Sequence, residues 1–255
     1  MIITLTTDFG ESEYVGAMKG VILSIAPEAR VVDITHRIRS FDVRHAAYVV
    51  KSVCPYFPRG SIHVVVVDPG VGTARRGVAI ETKDYYYIGP DNGIFTFVSD
   101  IKRVVELKLE AKSKTFHGRD VFAPVAARLA KGEDIGSFGE EIADIVRLPI
   151  QEASLRGEVI EGEVLCIDVF GNVITNIPQS MLAKANINYG DRICVKLEDR
   201  KLEMFFLESY GFARKGELLA LVGSEGYLEI AVNQGSASRR LGLKGGEKVK
   251  ICAVC

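Results

Sequence analysis

Ile62-His63-Val64-Val65-Val66-Val67-Asp68 is the stretch on which the fold turns. Ile62 to Val67 is a nearly unbroken apolar run rich in β-branched residues. A strand with one face in water alternates apolar and polar residues, whereas a continuous apolar run suits a central strand covered on both faces by helices. The segments before it supply those helices. Ile2 to Leu5 reads as a short strand, and Tyr14 to Ile25 carries Val15, Met18, Ile22 and Ile25 at helical spacing, with Pro27 at the exit. Val31 to Ile34 reads as a second strand and Asp42 to Val53 as an amphipathic helix. Repeated βα units of this kind predict an N-terminal α/β domain with a central, largely parallel sheet.

Downstream, Tyr85 to Ile88 reads as a strand, and Val121 to Ala130 as an amphipathic helix with Asp120 as its N-cap. After about residue 150 the pattern changes. Short β-like segments (157–168, 172–177, 192–197, 218–222, 227–232 and 248–254) are separated by turns rich in Gly, Asp and Lys, with short helices near Pro178 to Lys184 and Ser236 to Leu241. Many short strands with regular turns predict a small C-terminal β-barrel or sandwich. With a junction at Arg147 to Arg156, the expected domains are 1–150, α/β, and 157–255, a β-barrel.

Composition narrows the function. The chain of 255 residues is 47% hydrophobic and 25% charged, ordinary for a folded protein. A net charge of −1 gives no bulk drive towards nucleic acid or anionic lipid. No run approaches the roughly twenty apolar residues of a membrane span, and the start, MIITLTTDFG, reads as a strand and not as a signal peptide. Cys54, Cys166, Cys194, Cys252 and Cys255 are scattered. Isolated cysteines in apolar runs read as small buried hydrophobes. The terminal Cys252/Cys255 pair has no second pair with which to build a zinc site, and reads as structural. A reducing cytoplasm is the expected location.

Ligands of open α/β sheets bind beyond the carboxyl ends of the strands. Asp8, then Asp33 with Thr35 and His36, then Asp68, and the segment Gly89-Pro90-Asp91-Asn92-Gly93 all fall at such ends. The loop Pro69-Gly70-Val71-Gly72-Thr73-Ala74-Arg75-Arg76 has neither the GK[ST] ending of a P-loop nor a GxGxxG. Asp68 and Arg75 flank this turn, and spacing alone favours a solvent-exposed ion pair. His63, inside a β run, and His45, inside a helix, read as packing residues. His36 and His117, in loops, are better functional candidates, but neither has metal-ligand spacing such as HExxH. Asp168-Val169-Phe170-Gly171-Asn172 reads as a hairpin turn in which Phe170 offers a stacking face to a planar ring and Asn172 an amide to read its edge. Gly223 to Tyr227 and Ala231 to Asn233 add donors near strand ends.

Six fragments, in order, carry a family likeness: TTDFG at 6–10, VDPGVGTARR at 67–76, PDNG at 90–93, TFHGRD at 115–120, DVFGNVITNI at 168–177 and GS-x-GYLEIAVN at 223–233. Together they resemble the S-adenosylmethionine hydroxide adenosyltransferases, relatives of the fluorinating and chlorinating enzymes that act on the same substrate. The resemblance runs from Thr6 to about Leu241. It implies an α/β domain followed by a β-barrel, and hydrolysis of S-adenosylmethionine to adenosine and methionine with no cofactor and no metal. It also implies a trimer with substrate held between neighbouring subunits. Motif matching implies that Asp68, Arg75 and His117 are catalytic, leaving open which of Asp68 and His117 is the base. It further implies that Asp8 holds the ribose hydroxyls, Asp168 the methionine ammonium and Ser224 its carboxylate. Phe41, Phe170, Asn172, Tyr210 and Asn233 would then line the sugar and adenine pocket. The segment 99–114 is short for the family. Halide-using relatives replace the Asp and His, so the chain resembles the water-using branch. Three rivals remain: a halogenase, a non-catalytic S-adenosylmethionine or adenosine sensor, and a metal phosphohydrolase built on Asp8, Asp68 and Asp91.

Overall fold

A computed structural model describes residues 1–197 and 200–253. The chain divides into two units, Met1–Leu148 and Pro149–Cys255. The first contains β1 (Ile2–Thr7), α1 (Glu13–Ile25), β2 (Arg30–Thr35), α2 (Val43–Val53), β3 (Ile62–Val66), β4 (Gly77–Thr82), β5 (Tyr86–Pro90), β6 (Ile101–Leu107), α3 (Ala123–Ala130) and β7 (Gly139–Glu141). Its seven strands form one sheet in the order β2-β1-β3-β5-β4-β6-β7. Pairing is parallel from β2 through β1 and β3 to β5, and antiparallel where β4, β6 and β7 extend the sheet.

The continuous apolar run of β3 feeds two cores. Val64 and Val66 pack with Ile3, Leu5, Met18, Ile22 and Val125, bringing in α1 and α3. Val65 and the following Val67 pack with Ala46 and Val50 of α2 and with Val78 and Ile80. Successive side chains of a strand point to opposite faces, so both faces of this strand must be apolar. Each fully buried valine contributes about 1.5 to 3 kcal/mol. Val65→Asp would place a charge where exposure is 0% and break the α2 face. Asp42 caps α2, its carboxylate accepting from His45 N at 2.9 Å.

The chain leaves β1 to form β2 on one side and returns to place β3 on the other. Connections diverge at that point, and a crevice opens beyond the carboxyl ends of β1 and β3. Asp8 follows the first and Asp68 the second.

One helix start departs from expectation. Asp120 does not cap α3; it lies in a π-helical turn, Gly118–Phe122, closed by Ala123 N donating to Gly118 O. Pro124 lacks the N–H that would reach the carbonyl of residue 120, so the turn opens to the wider spacing. The Asp120 carboxylate instead accepts from Ser113 N at 2.7 Å and pairs with Arg119 at 2.7 Å.

The second unit contains β8 (Ser154–Arg156), β9 (Val159–Ile167), β10 (Val173–Pro178), α4 (Gln179–Lys184), β11 (Arg192–Leu197), β12 (Arg200–Phe206), β13 (Leu218–Val222), β14 (Tyr227–Val232), α5 (Ala237–Leu241) and β15 (Lys248–Cys252). Strands β10-β14-β13-β12-β11-β15-β9 follow one another, and β9 pairs again with β10 to close a seven-stranded barrel. Closure removes the open strand edges that would template aggregation. Its interior includes Val164, Val195, Phe206, Leu228, Ile230 and Ile251. β12 is absent from the expected strands because it opens on charge, Arg200 and Lys201. Lys201 and Glu203 face water while Met204 and Phe206 are buried. Cys194 is disulfide-bonded and not an isolated thiol; Cys255, half of the terminal pair, lies outside the described residues.

Candidate active site

Asp68 leaves β3 into a loop that folds back on itself. Val71 N donates to Asp68 O at 3.3 Å, and the Thr73 hydroxyl donates to Gly70 O at 2.7 Å. Gly72 sits at φ +76°, and a Cβ there would lie 2.5 Å from Lys114 O. Glycine therefore lets this loop close against the segment that carries His117. The turn aims Arg75 back at Asp68: Nε donates to Oδ1 at 2.9 Å and to Oδ2 at 3.1 Å, while Nη2 also donates to Oδ2. The same Nη2 reaches His117 Nδ1 at 2.9 Å, and Nη1 donates to Arg76 O at 3.0 Å. The guanidinium also lies over the Phe122 ring, 5.4 Å from its centroid.

The Asp68–Arg75 pair is therefore not the solvent-exposed one that spacing favoured, with side chains only 6% and 11% exposed. Partial burial strengthens such a charge-assisted fork relative to its value in water. A guanidinium has no lone pair, so His117 Nδ1 must accept, and the neutral ring carries its proton on Nε2. Burial, and then the positive charge of Arg75, hold the His117 pKa below its ordinary 6.5.

Asp68 and His117 line a cleft of about 320 Å³ together with Asp8, Phe9, Tyr14 and Phe41. Asp8 Oδ2 accepts from Phe41 N at 2.9 Å. Phe41 is held at φ +68° with its side chain 69% exposed, an uncommon conformation for a bulky residue. Phe9, Tyr14 and Phe116 form an edge-to-face trio with centroids 5.1 to 5.9 Å apart. This apolar wall was missed from sequence. Its signal was the Phe beside each polar candidate, Phe9 after Asp8 and Phe116 before His117.

Other candidates are held by structural partners. His36 Nδ1 shares a hydrogen with the Thr7 hydroxyl at 2.9 Å, its Nε2 lies 3.0 Å from Asp33, and Asp33 pairs with Lys19 at 2.6 Å. His36 therefore ties the ends of β1 and β2 together. Asp91 is equally committed: Oδ2 accepts from Arg76 Nε at 2.8 Å and Oδ1 from Val146 N at 2.7 Å. That leaves the metal phosphohydrolase reading without one of its three carboxylates. His63 is fully buried and bonds Thr4 at 2.8 Å, and burial pushes its pKa down to about 4.

The barrel carries a second cluster. The turn between β9 and β10 is organised by Asp168, which accepts from Phe170 N at 2.9 Å, Asn172 N at 2.8 Å and Asn172 Nδ2 at 2.9 Å. Gly171, at φ +87°, is required because a Cβ would lie 2.1 Å from the Ser236 hydroxyl oxygen. The turn leaves Phe170 74% exposed and the Asn172 residue 5% exposed. Asn172 Nδ2 also reaches the Tyr210 hydroxyl at 3.3 Å, and that hydroxyl donates to Glu229 Oε1. Glu229, unremarked in the sequence because it sits in the strand Leu-Glu-Ile-Ala-Val, is buried at 6% exposure. Ser224 is exposed in the turn between β13 and β14. The Asn233 amide donates to Ala213 O at 2.8 Å, so its donor already serves the barrel.

Residues 3–139 match the SAM hydroxide adenosyltransferase N-terminal domain family, and residues 162–250 match the corresponding C-terminal domain family. A Methanocaldococcus jannaschii protein named (R)-S-adenosyl-L-methionine hydrolase is 41% identical, over 98% of this chain and 95% of its own length. A fluorinase from Nocardia brasiliensis is 30% identical, over 98% of this chain and 96% of its own length. The crystal structure of an uncharacterized conserved protein from Thermotoga maritima superposes with a TM-score of 0.90 at 38% identity, covering 99% of this chain and 100% of that one.

Proposed function

The chain belongs to the SAM hydroxide adenosyltransferase family, and from that membership we infer that it hydrolyses S-adenosyl-L-methionine to adenosine and L-methionine. The observation that carries the reading is the Asp68–Arg75–His117 cluster, in which Arg75 bonds the two residues that line the cleft, Asp68 and His117.

The reaction is a direct displacement. A water oxygen attacks C5′ of the ribose, and the C5′–S bond breaks with its electron pair going to sulfur. Neutral methionine thioether leaves, adenosine gains the oxygen, and one proton is released. The sulfonium is a good leaving group, so the demand falls on the nucleophile. Holding water in line opposite sulfur supplies proximity, an effect worth several kcal/mol. Arg75 favours hydroxide character through a fixed positive charge. Its contact with Nδ1 supports His117 as a donor to the water oxygen through Nε2, with Asp68 as proton acceptor.

Asp8 takes the ribose hydroxyls, and Phe41 and Phe170 offer ring faces to the nucleoside. Asn172 and Tyr210 serve the adenine pocket, with Asn233 adding a contact. Asp168 takes the ammonium and Ser224 the carboxylate of the methionine part. These residues divide between the two units, and Phe41 and Phe170 are 69% and 74% exposed within them. That exposure supports a homotrimer in which one subunit's first unit completes its site with a neighbour's barrel. No cofactor or metal enters this reading. No helix among the described residues is long and apolar enough to cross a membrane; a cytoplasmic location fits a substrate made and consumed there.

The test is incubation of the purified protein with both sulfonium epimers of S-adenosylmethionine in EDTA, with and without chloride, followed by separation of the nucleosides. Adenosine formed without halide, and slowed at least a hundredfold in Asp68→Asn and His117→Ala, is the expected result. Substrate bound but left intact would establish a sensor, and 5′-chloroadenosine a halogenase.

A further inference from the structure

The two acidic residues Asp168 and Glu229 are joined through Asn172 and Tyr210, and the joined chain has a fixed polarity. A carboxylate only accepts, an amide nitrogen carries two hydrogens, and a phenol donates one and accepts one. Asn172 Nδ2 spends one hydrogen on Asp168 Oδ2 at 2.9 Å and the other on the Tyr210 hydroxyl at 3.3 Å. Tyr210 then has only its own hydrogen to give, and gives it to Glu229 Oε1. Every hydrogen in the chain is used, and acceptors stand at both ends. The polar atom of the amide left over is Asn172 Oδ1, to which no donor is bonded among the described residues.

We propose that Glu229 is a positioning residue of the ligand site, fixing the Tyr210 hydroxyl and through it the Asn172 amide, so that Asn172 presents its carbonyl oxygen to an N–H donor of the bound base. The proposal rests on the nucleoside-binding reading above and adds to it a residue and a direction. A 6-aminopurine offers an N–H donor at its exocyclic position; a 6-oxopurine offers an acceptor there. The site is therefore polarised for the amino form, and rejection of the oxo form follows from an acceptor facing an acceptor.

Burial agrees with a site selected for this arrangement. A carboxylate at 6% exposure costs folding energy unless it is bonded, and a barrel strand would more cheaply carry an apolar residue there. Gly223 leaves the space the carboxylate fills, since a Cβ on it would lie 2.8 Å from Glu229 Oε2. Burial, with Asp168 adding a like charge, raises the Glu229 pKa, and the hydrogen bond from Tyr210 opposes that rise. The hydroxyl is thus the contact that favours the ionised, acceptor-only form of the carboxylate.

The test uses S-adenosylhomocysteine, a thioether that shares the adenine, ribose and amino-acid parts but has no sulfonium leaving group. Calorimetry gives its Kd for the intact wild-type protein and for Glu229→Ala, Glu229→Gln, Tyr210→Phe and the Tyr210→Phe/Glu229→Ala pair. Glu229→Ala and Tyr210→Phe are each expected to weaken binding about tenfold, and the pair no more than either alone. Glu229→Gln keeps an acceptor for the phenol and is expected to bind within about threefold of wild type. The inosine counterpart, S-inosylhomocysteine, is expected to bind wild type at least tenfold more weakly than the adenosine compound, a ratio that loss of fold would not create.

Unchanged affinity in Tyr210→Phe, additive losses in the pair, or equal binding of the two bases would overturn the proposal. Tyr210 is 39% exposed, so its variant tests the chain even if Glu229→Ala fails to fold. Wild-type protein that binds S-adenosylhomocysteine but makes no adenosine from S-adenosylmethionine sinks the hydrolase reading alone. Wild-type protein that binds neither sinks both.

Discussion

Arg75 Nη2 stands 2.9 Å from Nδ1 of His117, although the two residues are 42 positions apart in the chain. A cation donating to an imidazole nitrogen fixes the ring as neutral and fixes its tautomer, which no contact with Asp68 alone would do. Lysine keeps the charge but presents a point donor in place of a planar fork. Arg75→Lys is therefore expected to lower kcat by about 10² to 10³ while leaving KM within a few-fold, since the lost contacts serve the nucleophile and not the nucleoside. Steady-state kinetics of the purified variant check this; a large rise in KM with kcat intact would assign Arg75 to binding.

The same contact sets the acid limb of the pH profile. His117 works as the neutral ring, and its pKa lies below the ordinary 6.5 because of burial and the adjacent Arg75 charge. Protonation would place an N–H on Nδ1, against the guanidinium. The neutral form therefore persists as pH falls through 6.5, and kcat/KM is expected to decline only below that value. In Arg75→Lys the fixed fork is gone, and the acid limb should move. A wild-type profile already falling between pH 8 and 7 would contradict the assignment.

Phe41 combines a left-handed backbone, φ +68°, with a backbone N–H that donates to Asp8 at 2.9 Å. A bulky residue in that region stores about 1 kcal/mol or more and persists only where the surroundings hold it. Glycine relieves the strain but removes the exposed ring proposed to face the nucleoside. Phe41→Gly is expected to match or exceed wild type in thermal stability while raising KM about tenfold or more. Calorimetric unfolding and substrate titration read the two effects separately. A fall in both together would mean that the ring serves the fold.

How much of this was legible in the sequence depends on the distance over which each signal acts. The β3 run specified its own environment, because a strand buried on both faces has no polar residue to place in water. The hairpin at Asp168 was legible because Gly171, at φ +87°, and the residues it serves are adjacent. The Asp68–Arg75 pair was visible, but its burial was not: the residues that exclude water from it, Phe122 and His117, come from a segment more than 40 positions downstream. Asp120 fitted the N-cap rule and failed it because Pro124, inside the first turn, withholds the hydrogen bond an α-helix would need there. Glu229 was hidden for the opposite reason, since a single acidic residue in an apolar strand reads as its wet face until the barrel closes around it.

His63 gives the fold a pH dependence separate from the chemistry. The ring is fully buried in β3, among Phe57, Tyr85 and Tyr87, with Thr4 bonded at 2.8 Å. Burial holds its folded pKa at about 4, against the ordinary 6.5 of a histidine. Between those two values the unfolded chain binds a proton that the folded chain refuses, so stability rises with pH across that window and is lost as pH falls through it. The full contribution is about 3 kcal/mol, present above pH 6.5 and exhausted near pH 4. His63→Gln keeps a polar partner for Thr4 and does not titrate. Carboxylates elsewhere also respond to acid, so the informative quantity is the difference in urea-unfolding free energy between wild type and His63→Gln, measured from pH 7.5 to pH 4. That difference is expected to move in favour of the variant by up to about 3 kcal/mol as pH falls, with most of the change below pH 6.5. A difference constant with pH would mean that the buried ring accepts its proton in the folded state as readily as in the unfolded one.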